Sequence, residues 1–402
     1  MAGLLCALQL MQAGVDCLVI EANRIGRGIT AGTTAKISSQ HGLNYHKLLK
    51  DFDRDTVRGY WQINKLALGE FRRLAEKIPC DFQVQDSFIY SVDFVDQLDA
   101  EMGALSELGI PAEFIRQLPL PIRTQGAVCF RNQAQFHPLK FLTGIAGDLN
   151  IREGTRALQI EKGKVLTDRG IIRAENMIVA THFPILNRRG LYFMKQYQDR
   201  SYVLALEGAE QLSGMYLDGS GKGLSFRNQG DLLLLGGGSH RTGRPSTGWE
   251  PLSEFAGTHY PGSRKVARWA AQDCMTLDGM PYIGRYSPRT PWLYVATGFN
   301  KWGMTGSMSA AMILRDQILG RENVFGEIFD PARSMLHPRL AANAWDSAIN
   351  LLSLRRPRCP HLGCALKWND REYSWDCPCH GSRFDRRGKL LDSPATKDLK
   401  RD

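Results

Sequence analysis

Cys359-Pro-His361-Leu-Gly-Cys364 and Cys377-Pro-Cys379-His380-Gly-Ser382 are the two stretches that decide how the C-terminal part of this 402-residue chain folds. They place two Cys and two His as C-x-H, then fifteen residues, then C-x-x-H, with one extra Cys in each half. Thiol and imidazole groups at such spacings are typical metal ligands, for an iron–sulfur cluster or for tetrahedral zinc. Zinc sites rarely use C-x-H as a half-site, and zinc gives the two extra Cys no role, so the spacing favours the cluster. Four unliganded core residues are the least favoured alternative.

The two stretches resemble the cluster-binding loops of the Rieske family, in its disulfide-bearing subtype. A Rieske [2Fe–2S] centre needs two thiolates on one iron and two imidazoles on the other. Two loops that each supply one Cys and one His satisfy this requirement. The resemblance implies that Cys359 and Cys377 bind one iron and that His361 and His380 bind the other. It also implies a disulfide between Cys364 and Cys379 that ties the loops together.

One departure from the family concerns the cluster potential. The second loop continues as Gly381-Ser382-Arg383-Phe384. In high-potential Rieske proteins a Ser and a Tyr hydroxyl at the second and fourth of these places hydrogen-bond the cluster and its Cys sulfur. Ser382 is present, but Phe384 has no donor. Because donors to sulfur stabilise the more negative reduced cluster, we expect a potential below that of the respiratory type.

The composition indicates a globular enzyme of two or three domains, with 43% hydrophobic residues and 40 Gly. No run of 18 apolar residues is present, and the N-terminus lacks the order of a signal peptide. Five of the nine Cys are scattered outside the two loops, as buried or free thiols are, so we expect a cytoplasmic protein.

The net charge of +10 is spread over the chain, without a nucleic-acid-binding motif. Two basic groups flank the cluster loops, Arg355, Arg356 and Arg358 before the first and Arg383, Arg386 and Arg387 after the second. They form either a solvated positive face or a docking surface for an acidic electron-transfer partner. The expected partners are a small-molecule substrate and an electron-transfer protein, with no nucleic acid and no membrane span.

The first residues predict the second half of a dinucleotide-binding βαβ unit. The spacing of Leu4, Leu5, Leu8 and Met11 predicts a helix over residues 3–14, and residues 16–20 form an apolar strand that ends at Glu21. Gly3 then takes the place of the third glycine of G-x-G-x-x-G. The opening strand and two glycines are missing from this sequence, and we expect them upstream of Met1.

Several later segments follow in the order seen in FAD-dependent oxidoreductases of the D-amino-acid oxidase and glycine oxidase superfamily, which the chain resembles. They are the Gly/Thr-rich run at 24–36, a hairpin at 157–166, a buried strand that ends in Ala180-Thr181, and residues 269–284. A strand at 292–296 and a helix over 303–318 complete the set. The whole chain resembles a bacterial subgroup that fuses this oxidoreductase to a Rieske module. The resemblance implies the FAD-binding residues Gly3, Glu21, Ala22, Gly28, Thr33, Thr34, Ala35, Lys36, Leu158, Ala180, Thr181, Gly284, Gly298, Lys301, Trp302, Gly303, Met304 and Thr305.

The predicted fold is α/β, or α+β overall. A Rossmann-like FAD-binding domain covers 1–44, 141–184 and 266–325, and a mixed-sheet substrate domain covers 45–140 and 185–265. A linker at 326–357 leads to a small β lobe at 358–402, which carries the cluster. Because the linker runs straight into Cys359, only the cluster-binding lobe is kept, and we expect it to lean on the flavoprotein for burial.

The catalytic residues cannot be assigned from the sequence, and the weak candidates are Lys36, Arg227, His240 and Arg241. The leading hypothesis is a dehydrogenase that takes electrons from an amine or amino acid to FAD and passes them singly through the cluster to an external carrier. The alternatives are a reductase in which electrons enter through the cluster, and a non-catalytic redox sensor. The amine rests on superfamily analogy alone.

Overall fold

The computed structural model describes residues 1–186, 189–221, 223–334, 336–353 and 355–400. The last two residues of the predicted C-terminal lobe lie outside these ranges. The α-helices are Ala2–Gln12 (α1), Ile29–Gly32 (α2), Tyr45–Leu48 (α3), Arg54–Ala75 (α4), Val95–Leu108 (α5), Pro138–Ala146 (α6), Tyr192–Lys195 (α7), Glu250–His259 (α8), Gly303–Ile318 (α9) and Pro338–Leu352 (α10).

The strands fall into three groups along the chain. Up to residue 152 they are Val19–Ile20 (β1), Lys36–Ile37 (β2), Gln83–Ser91 (β3), Glu113–Ile115 (β4), Gly126–Gln135 (β5) and Ile151–Arg152 (β6). The middle of the chain adds Ala157–Glu161 (β7), Lys164–Thr167 (β8), Gly170–Arg173 (β9), Met177–Val179 (β10), Gln196–Glu207 (β11), Met215–Asp218 (β12), Ser225–Gln229 (β13), Leu232–Arg241 (β14), Arg264–Thr276 (β15), Tyr282–Arg285 (β16) and Leu293–Thr297 (β17). The C-terminal lobe has Lys367–Asn369 (β18), Ser374–Asp376 (β19), Arg383–Asp385 (β20) and Leu390–Asp392 (β21).

The predicted mixed α/β fold is confirmed. Strands β1 and β6 pair in parallel, and β10, β17 and β16 form a second sheet in which β10 and β17 are parallel. These two pieces are not hydrogen-bonded to each other within the described part of the chain. Helices α1 and α9 share one hydrophobic core, and Arg315 donates to Gln9 across them at 2.7 Å. The helix predicted over 303–318 is α9 itself, whereas the strand predicted over 16–20 is only β1.

A nine-stranded sheet forms the second layer, in the order β15-β11-β14-β13-β12-β3-β5-β2 with β4 on β5. Strand β15 pairs with β11 along its length, from Gln196 opposite Thr276 to Glu207 opposite Arg264. The domain boundary expected at residue 266 therefore falls inside β15. A boundary taken from the order of segments along the chain does not reveal which sheet a strand joins, and this explains the difference.

The C-terminal lobe is a four-stranded antiparallel meander, β18-β19-β20-β21. Its hydrophobic core is small and consists largely of cysteines, with Leu366, Phe384 and Ala395. The segment before it, which the sequence predicts only as a linker, contains helix α10. None of the helices in the described ranges is long and apolar enough to cross a bilayer.

Candidate redox centres

The two Cys/His loops share one backbone pattern. In the first, the Cys359 N–H donates to Cys364 O at 2.8 Å and the Gly363 N–H to Cys359 O at 2.9 Å. In the second, Cys377 donates to Ser382 O at 2.8 Å and Gly381 to Cys377 O at 2.9 Å. Gly363 and Gly381 both have φ +81°, in the left-handed region that glycine adopts without a Cβ penalty. The glycines therefore allow two equivalent turns that face each other.

The four expected cluster ligands converge between these turns. Cys359 and Cys377 are buried, and the Cys377 thiol bonds toward Cys359, which lowers the pKa of Cys359 to about 7 and raises that of Cys377. The His361 and His380 ring centroids are 5.0 Å apart. Both ring nitrogens of His380 are buried without a hydrogen-bond partner among the described residues. A buried imidazole without partners beside paired thiols fits a [2Fe–2S] cluster, because iron uses these atoms as ligands.

Cys364 and Cys379 are joined by a disulfide. The sulfurs of Cys364, Cys377 and Cys379 also lie within 4.8 Å of one another, a spacing that by itself suggests a metal site. However, a cysteine binds a metal through its deprotonated thiolate, and the sulfurs of a disulfide are not thiolates. The disulfide therefore leaves Cys377 with Cys359 as the sulfur ligands that the loops offer.

The surroundings of the sulfur pair match the sequence pattern. Ser382 is fully buried, accepts a hydrogen bond from the Ala395 N–H at 2.9 Å, and bonds toward Cys359. Phe384 is fully buried in the lobe core and supplies no donor. The lower potential expected from Phe384 stays a prediction.

A pair of buried glutamines fixes the second loop to the nine-stranded sheet. Gln198 Nε2 donates to His380 O at 2.8 Å and to Ser393 O at 3.0 Å. Gln272 Nε2 donates to Gly381 O at 2.9 Å and to Gln198 Oε1 at 2.7 Å. A Cβ on Gly381 would lie 2.7 Å from Gln198 Cβ, so only glycine permits this approach. The two glutamines are at most 1% exposed and hold a ligand-bearing loop by its backbone.

A buried ion network joins the lobe to the same sheet. The Glu372 carboxylate accepts hydrogen bonds from Arg200 in β11 and from Arg383 in β20. Arg383 also forms ion pairs with Asp376 and Asp392, each at 3.0 Å. Burial acts to raise the pKa of Glu372, but Arg200 and Arg383 outweigh it and hold the pKa below its ordinary range. The predicted reliance of the lobe on the flavoprotein therefore takes the form of polar contacts as well as apolar ones.

Three of the weak catalytic candidates are engaged elsewhere. Arg241 donates to Pro378 O at 3.3 Å and to Cys379 O at 3.2 Å, so it contacts the cluster loop. Arg227 is 1% exposed and donates to the carbonyl oxygens of Thr34, Ala35 and Phe136. His240 stacks on Tyr202 with centroids 5.6 Å apart and bonds to Gly238 O. These contacts give Arg241 and Arg227 roles in holding loops together.

The expected pyrophosphate end of the flavin site lies at the start of α1. Gly3 packs against Ala180 at the end of β10, where a Cβ on Gly3 would lie 3.7 Å from Ala180 Cβ. The helix has no side-chain cap and no acidic residue in its first turn, so its N-terminus suits an anion. Glu21, followed by Ala22, lies directly after β1, where a ribose acceptor is needed. The free N–H groups of the helix N-terminus and the Glu21 carboxylate therefore fit the pyrophosphate and the ribose of FAD.

The segment from Gly28 to Lys36, which contains α2 and the start of β2, is the next part of the chain expected at the flavin. Ala35, at φ +49°, is buried, and its carbonyl oxygen accepts a hydrogen bond from Arg227 at 3.2 Å. Burial and the nearby Arg227 lower the pKa of Lys36 to about 7. The remaining expected residues of the loop are Thr33 and Thr34, whose hydroxyls accept from Ala35 N and Lys36 Nζ.

The strand-to-helix turn before α9 brings together most of the C-terminal residues expected at the flavin. Gly298 has φ +72°, and Lys301 has φ +73°. Trp302 stacks on His41 with centroids 4.7 Å apart, and Thr305 Oγ1 donates to Ser38 O at 3.1 Å. Gly303 and Met304 form the first turn of α9. The turn is thus packed against the segment that follows the Gly/Thr loop.

The other expected flavin residues are more dispersed. Leu158 in β7 is 52% exposed. Gly284 in β16 faces Pro331. Thr181 donates its hydroxyl to Phe183 O at 2.8 Å, and its carbonyl accepts from Ser393 of the lobe at 3.4 Å. Thr181 therefore lies between the expected flavin strand and the cluster lobe.

A polar cluster that the sequence does not single out lies beside Lys301. Lys301 Nζ donates to Ser239 Oγ and is 3.9 Å from an oxygen of Asp199. Asp273 in β15 lies directly opposite Asp199 in β11 in the register of the two antiparallel strands. Burial raises the pKa of Asp273 to about 6, against the opposing effect of Lys301. The cluster presents one cation and two carboxyl groups on the same side of the sheet.

The sequence interpretation also missed Gln198, Arg200, Gln272 and Glu372. The segment Gln196-Tyr-Gln198-Asp-Arg200 has polar residues on both faces of the strand, so the sequence does not show which face is covered. The structure shows that Gln196, Gln198 and Arg200 are the buried ones, and buried polar groups need partners.

The comparisons with known proteins agree with both centres. A family described as FAD dependent oxidoreductase (DAO) matches residues 1–317, and a Rieske [2Fe-2S] domain matches residues 352–401. The protein described as “Putative Rieske 2Fe-2S iron-sulfur protein YhfW” of Bacillus subtilis is 34% identical over 461 residues, which span 99% of this chain and 91% of that protein.

Solved structures share the fold at low identity. Glycine oxidase from Geobacillus kaustophilus has a TM-score of 0.68 and 17% identity, covering 83% of this chain and 96% of that chain. L-proline dehydrogenase from P. horikoshii has a TM-score of 0.69 and 17% identity, covering 83% and 94%. The chain belongs to the DAO family of FAD-dependent oxidoreductases and carries a C-terminal Rieske [2Fe–2S] domain.

Proposed function

We propose that this protein is a cytoplasmic dehydrogenase that oxidises an amino acid or related amine and delivers the electrons through FAD and the Rieske cluster to an external one-electron carrier. When bound, FAD accepts two electrons at once and the cluster carries one at a time. The single observation that carries the proposal is that β11 and β15 have the flavin loop on one face and the cluster loop on the other.

The two faces follow from strand alternation. Trp269, Ala271 and Asp273 point to one side of β15, and Trp269 Nε1 donates to Gly32 O in the Gly/Thr loop at 2.8 Å. Gln272 points to the opposite side and holds Gly381 of the cluster loop. In β11, Asp199 and Gln198 divide in the same way. A single layer of backbone thus separates the flavin loop from the loop that carries His380, which supports direct transfer within one chain.

The polar cluster on the flavin-loop face supports an amino-acid substrate. An amino acid carries a carboxylate and an ammonium group, which the Lys301 ammonium and the carboxyl groups of Asp199 and Asp273 complement. The names of glycine oxidase and L-proline dehydrogenase favour the same class. We assign Lys301 and Asp273 to substrate binding, and Cys359, His361, Cys377 and His380 to the cluster. Gly3, Glu21, the 28–36 segment and the 298–305 turn, apart from the Lys301 side chain, are assigned to FAD.

Removal of one glutamine tests the connection between the centres. Gln198→Leu leaves His380 O and Ser393 O without their buried donor, at a cost of about 1–3 kcal/mol, and loosens the loop. We expect rapid mixing of the anaerobic enzyme with glycine, L-proline and other amino acids to bleach flavin absorbance as in wild type, followed by slower cluster reduction. The reduced EPR signal should keep its shape, because no ligand is changed. Gln159→Leu, an exposed change in β7, is the control.

Two results would contradict the proposal. A wild-type cluster that stays oxidised after complete flavin bleaching would show that the centres are not connected. Bound zinc, without the EPR signal of an imidazole-ligated [2Fe–2S] cluster, would remove the relay altogether.

A further inference from the structure

The two imidazoles of the cluster site have different surroundings. His380 is 2% exposed and lies under Phe183 and Phe193, with ring centroids 6.1 and 6.0 Å away. His361 is only half-buried, and the next residue, Leu362, is exposed. Phe183 also lies 6.4 Å from the His361 ring, so the site is more exposed at His361 than at His380 but is covered by the flavoprotein at both.

Helix α10 lies over the disulfide end of the cluster site. The Asn343 amide accepts from Arg241 at 2.6 Å and donates to Met194 O at 2.9 Å. Cys379 Sγ is 3.9 Å from Ser347 O, and Leu351 is 3.8 Å from the position of a Cβ on Gly363. One side of α10 is thus fixed against both loops.

The opposite side of α10 is apolar and exposed. Trp345 is 69% exposed, Ile349 51% and Leu352 78%, and the spacing of i, i+4 and i+7 puts them on one stripe. We call this stripe, with Arg355 shortly after it in the chain, the α10 face. Single exposed apolar residues are common, but a continuous stripe on the helix that covers a cofactor site is typical of an interaction site.

The charge around the α10 face selects the partner. Residues 355–400 contain eleven Arg and Lys against six Asp and Glu. Three of the six acids, Glu372, Asp376 and Asp392, are already paired with Arg200 or Arg383. Of the eleven basic residues, Arg383 belongs to the same buried network and Arg371 pairs with Glu250, which leaves nine against three acids. Arg358 is one of the nine, and it donates to Leu351 O of α10 at 3.2 Å. The outer surface of the lobe is therefore strongly basic, and it attracts an acidic protein and repels a basic one.

We propose that the α10 face docks an acidic one-electron carrier protein, which receives the electron on the His361 side while His380 faces the flavin side. This inference rests on the proposed function for the direction of flow. With the cluster bound by Cys359, His361, Cys377 and His380, one electron would pass to the redox centre of the carrier, and no atom or proton would be transferred.

A charge-reversed probe pair tests the proposal on the oxidised holoprotein. The probes are basic cytochrome c and the same protein succinylated on its lysines, and their affinities are measured by titration calorimetry. We expect the succinylated probe to bind at least tenfold more tightly, and its affinity to fall as salt shortens the Debye length from about 30 Å at 0.01 M to about 3 Å at 1 M. Ile349→Glu and Trp345→Glu should each weaken binding at least tenfold. Val324→Glu, at an exposed apolar residue outside the lobe, should not.

Three results would overturn the inference. The first is equal affinity for the two probes, and the second is unchanged binding by both α10 variants. The third is a wild-type dimer in sedimentation that Ile349→Glu dissociates, because a second copy of the chain would then occupy the α10 face. Because no substrate and no electron transfer enter this assay, its outcome is independent of the flavin-to-cluster experiment. Failure of either proposal therefore shows separately.

Discussion

Glu372 lies at the centre of the interface, and its neutralisation makes a sharp test of how the lobe is held. Its carboxylate bonds to Arg200 and Arg383, and all three side chains are 6–8% exposed. Glu372→Gln keeps the shape and one acceptor oxygen but removes the charge. Arg383 keeps Asp376 and Asp392, whereas among the described residues the ion pair left to Arg200 is Asp392 at 3.9 Å.

The expected cost follows from the desolvation of Arg200. Removal of one partner from a buried pair typically costs about 3–5 kcal/mol, because the other charge is left uncompensated. Since Gln still accepts a hydrogen bond and Asp392 is close, we expect the lower end, about 3 kcal/mol. The exposed pair between Arg371 and Glu250 joins the same two units, so Arg371→Ala is a matched control that should cost at most about 1 kcal/mol.

Amide hydrogen exchange of the holoprotein measures this difference directly, because it reports local opening. Peptides that cover β18–β20 should exchange roughly a hundredfold faster in Glu372→Gln, since each 1.4 kcal/mol is about a factor of ten. The α1 and α9 peptides should be unchanged. Acid should act in the same direction, because the contribution of a carboxyl with a lowered pKa is present above its ordinary value of 4.5 and is lost as pH falls through the folded pKa. Equal exchange in Glu372→Gln and Arg371→Ala would refute the reasoning.

The remaining predictions concern the cluster and the substrate. Ser382→Ala removes a donor toward Cys359 and should lower the cluster potential by roughly 60 mV in an EPR-monitored titration. This magnitude follows because a hydrogen bond to a charged group is worth about 1.5 kcal/mol and about 59 mV is a tenfold change for one electron. An unchanged potential would show that the hydroxyl does not reach the sulfur. Burial raises the pKa of Asp273 to about 6, so kcat/KM for an amino acid should rise as pH increases through this value and the carboxylate forms. Asp273→Asn should abolish this rise in the pH profile. A rise that persists in the variant would belong to another group.

The cluster loops are predictable from the sequence because their information is local. Cys359 and His361 lie within one turn, as do Cys377 and His380, and the positive φ of Gly363 and Gly381 fixes each turn independently of the rest of the fold. The helix at 303–318 is equally local, since its apolar periodicity and its start after a strand are visible in the sequence.

The interface is not predictable in the same way. Gln198 and His380 are 182 residues apart, and Arg200 and Glu372 are 172 apart. Neither residue of each pair is unusual by itself, since polar residues in a strand normally face water. Arg241 illustrates the consequence, because an Arg in a Gly-rich segment suggests a substrate anchor, whereas its partners are Pro378 O and Cys379 O. Pairing across such distances depends on the assembled sheet.

The small size of the lobe explains why the interface is polar and why the cluster is fixed. Four three-residue strands bury only a small core, so the lobe needs further burial against the sheet. A purely apolar contact would allow sliding, whereas Gln198, Gln272 and the Arg200–Glu372–Arg383 network specify one orientation by direction and charge. His380 is consequently held at one place relative to β11 and β15. Under the proposed function, electron transfer between the centres would need no movement of the lobe, and the proposed carrier would be the part that binds and dissociates.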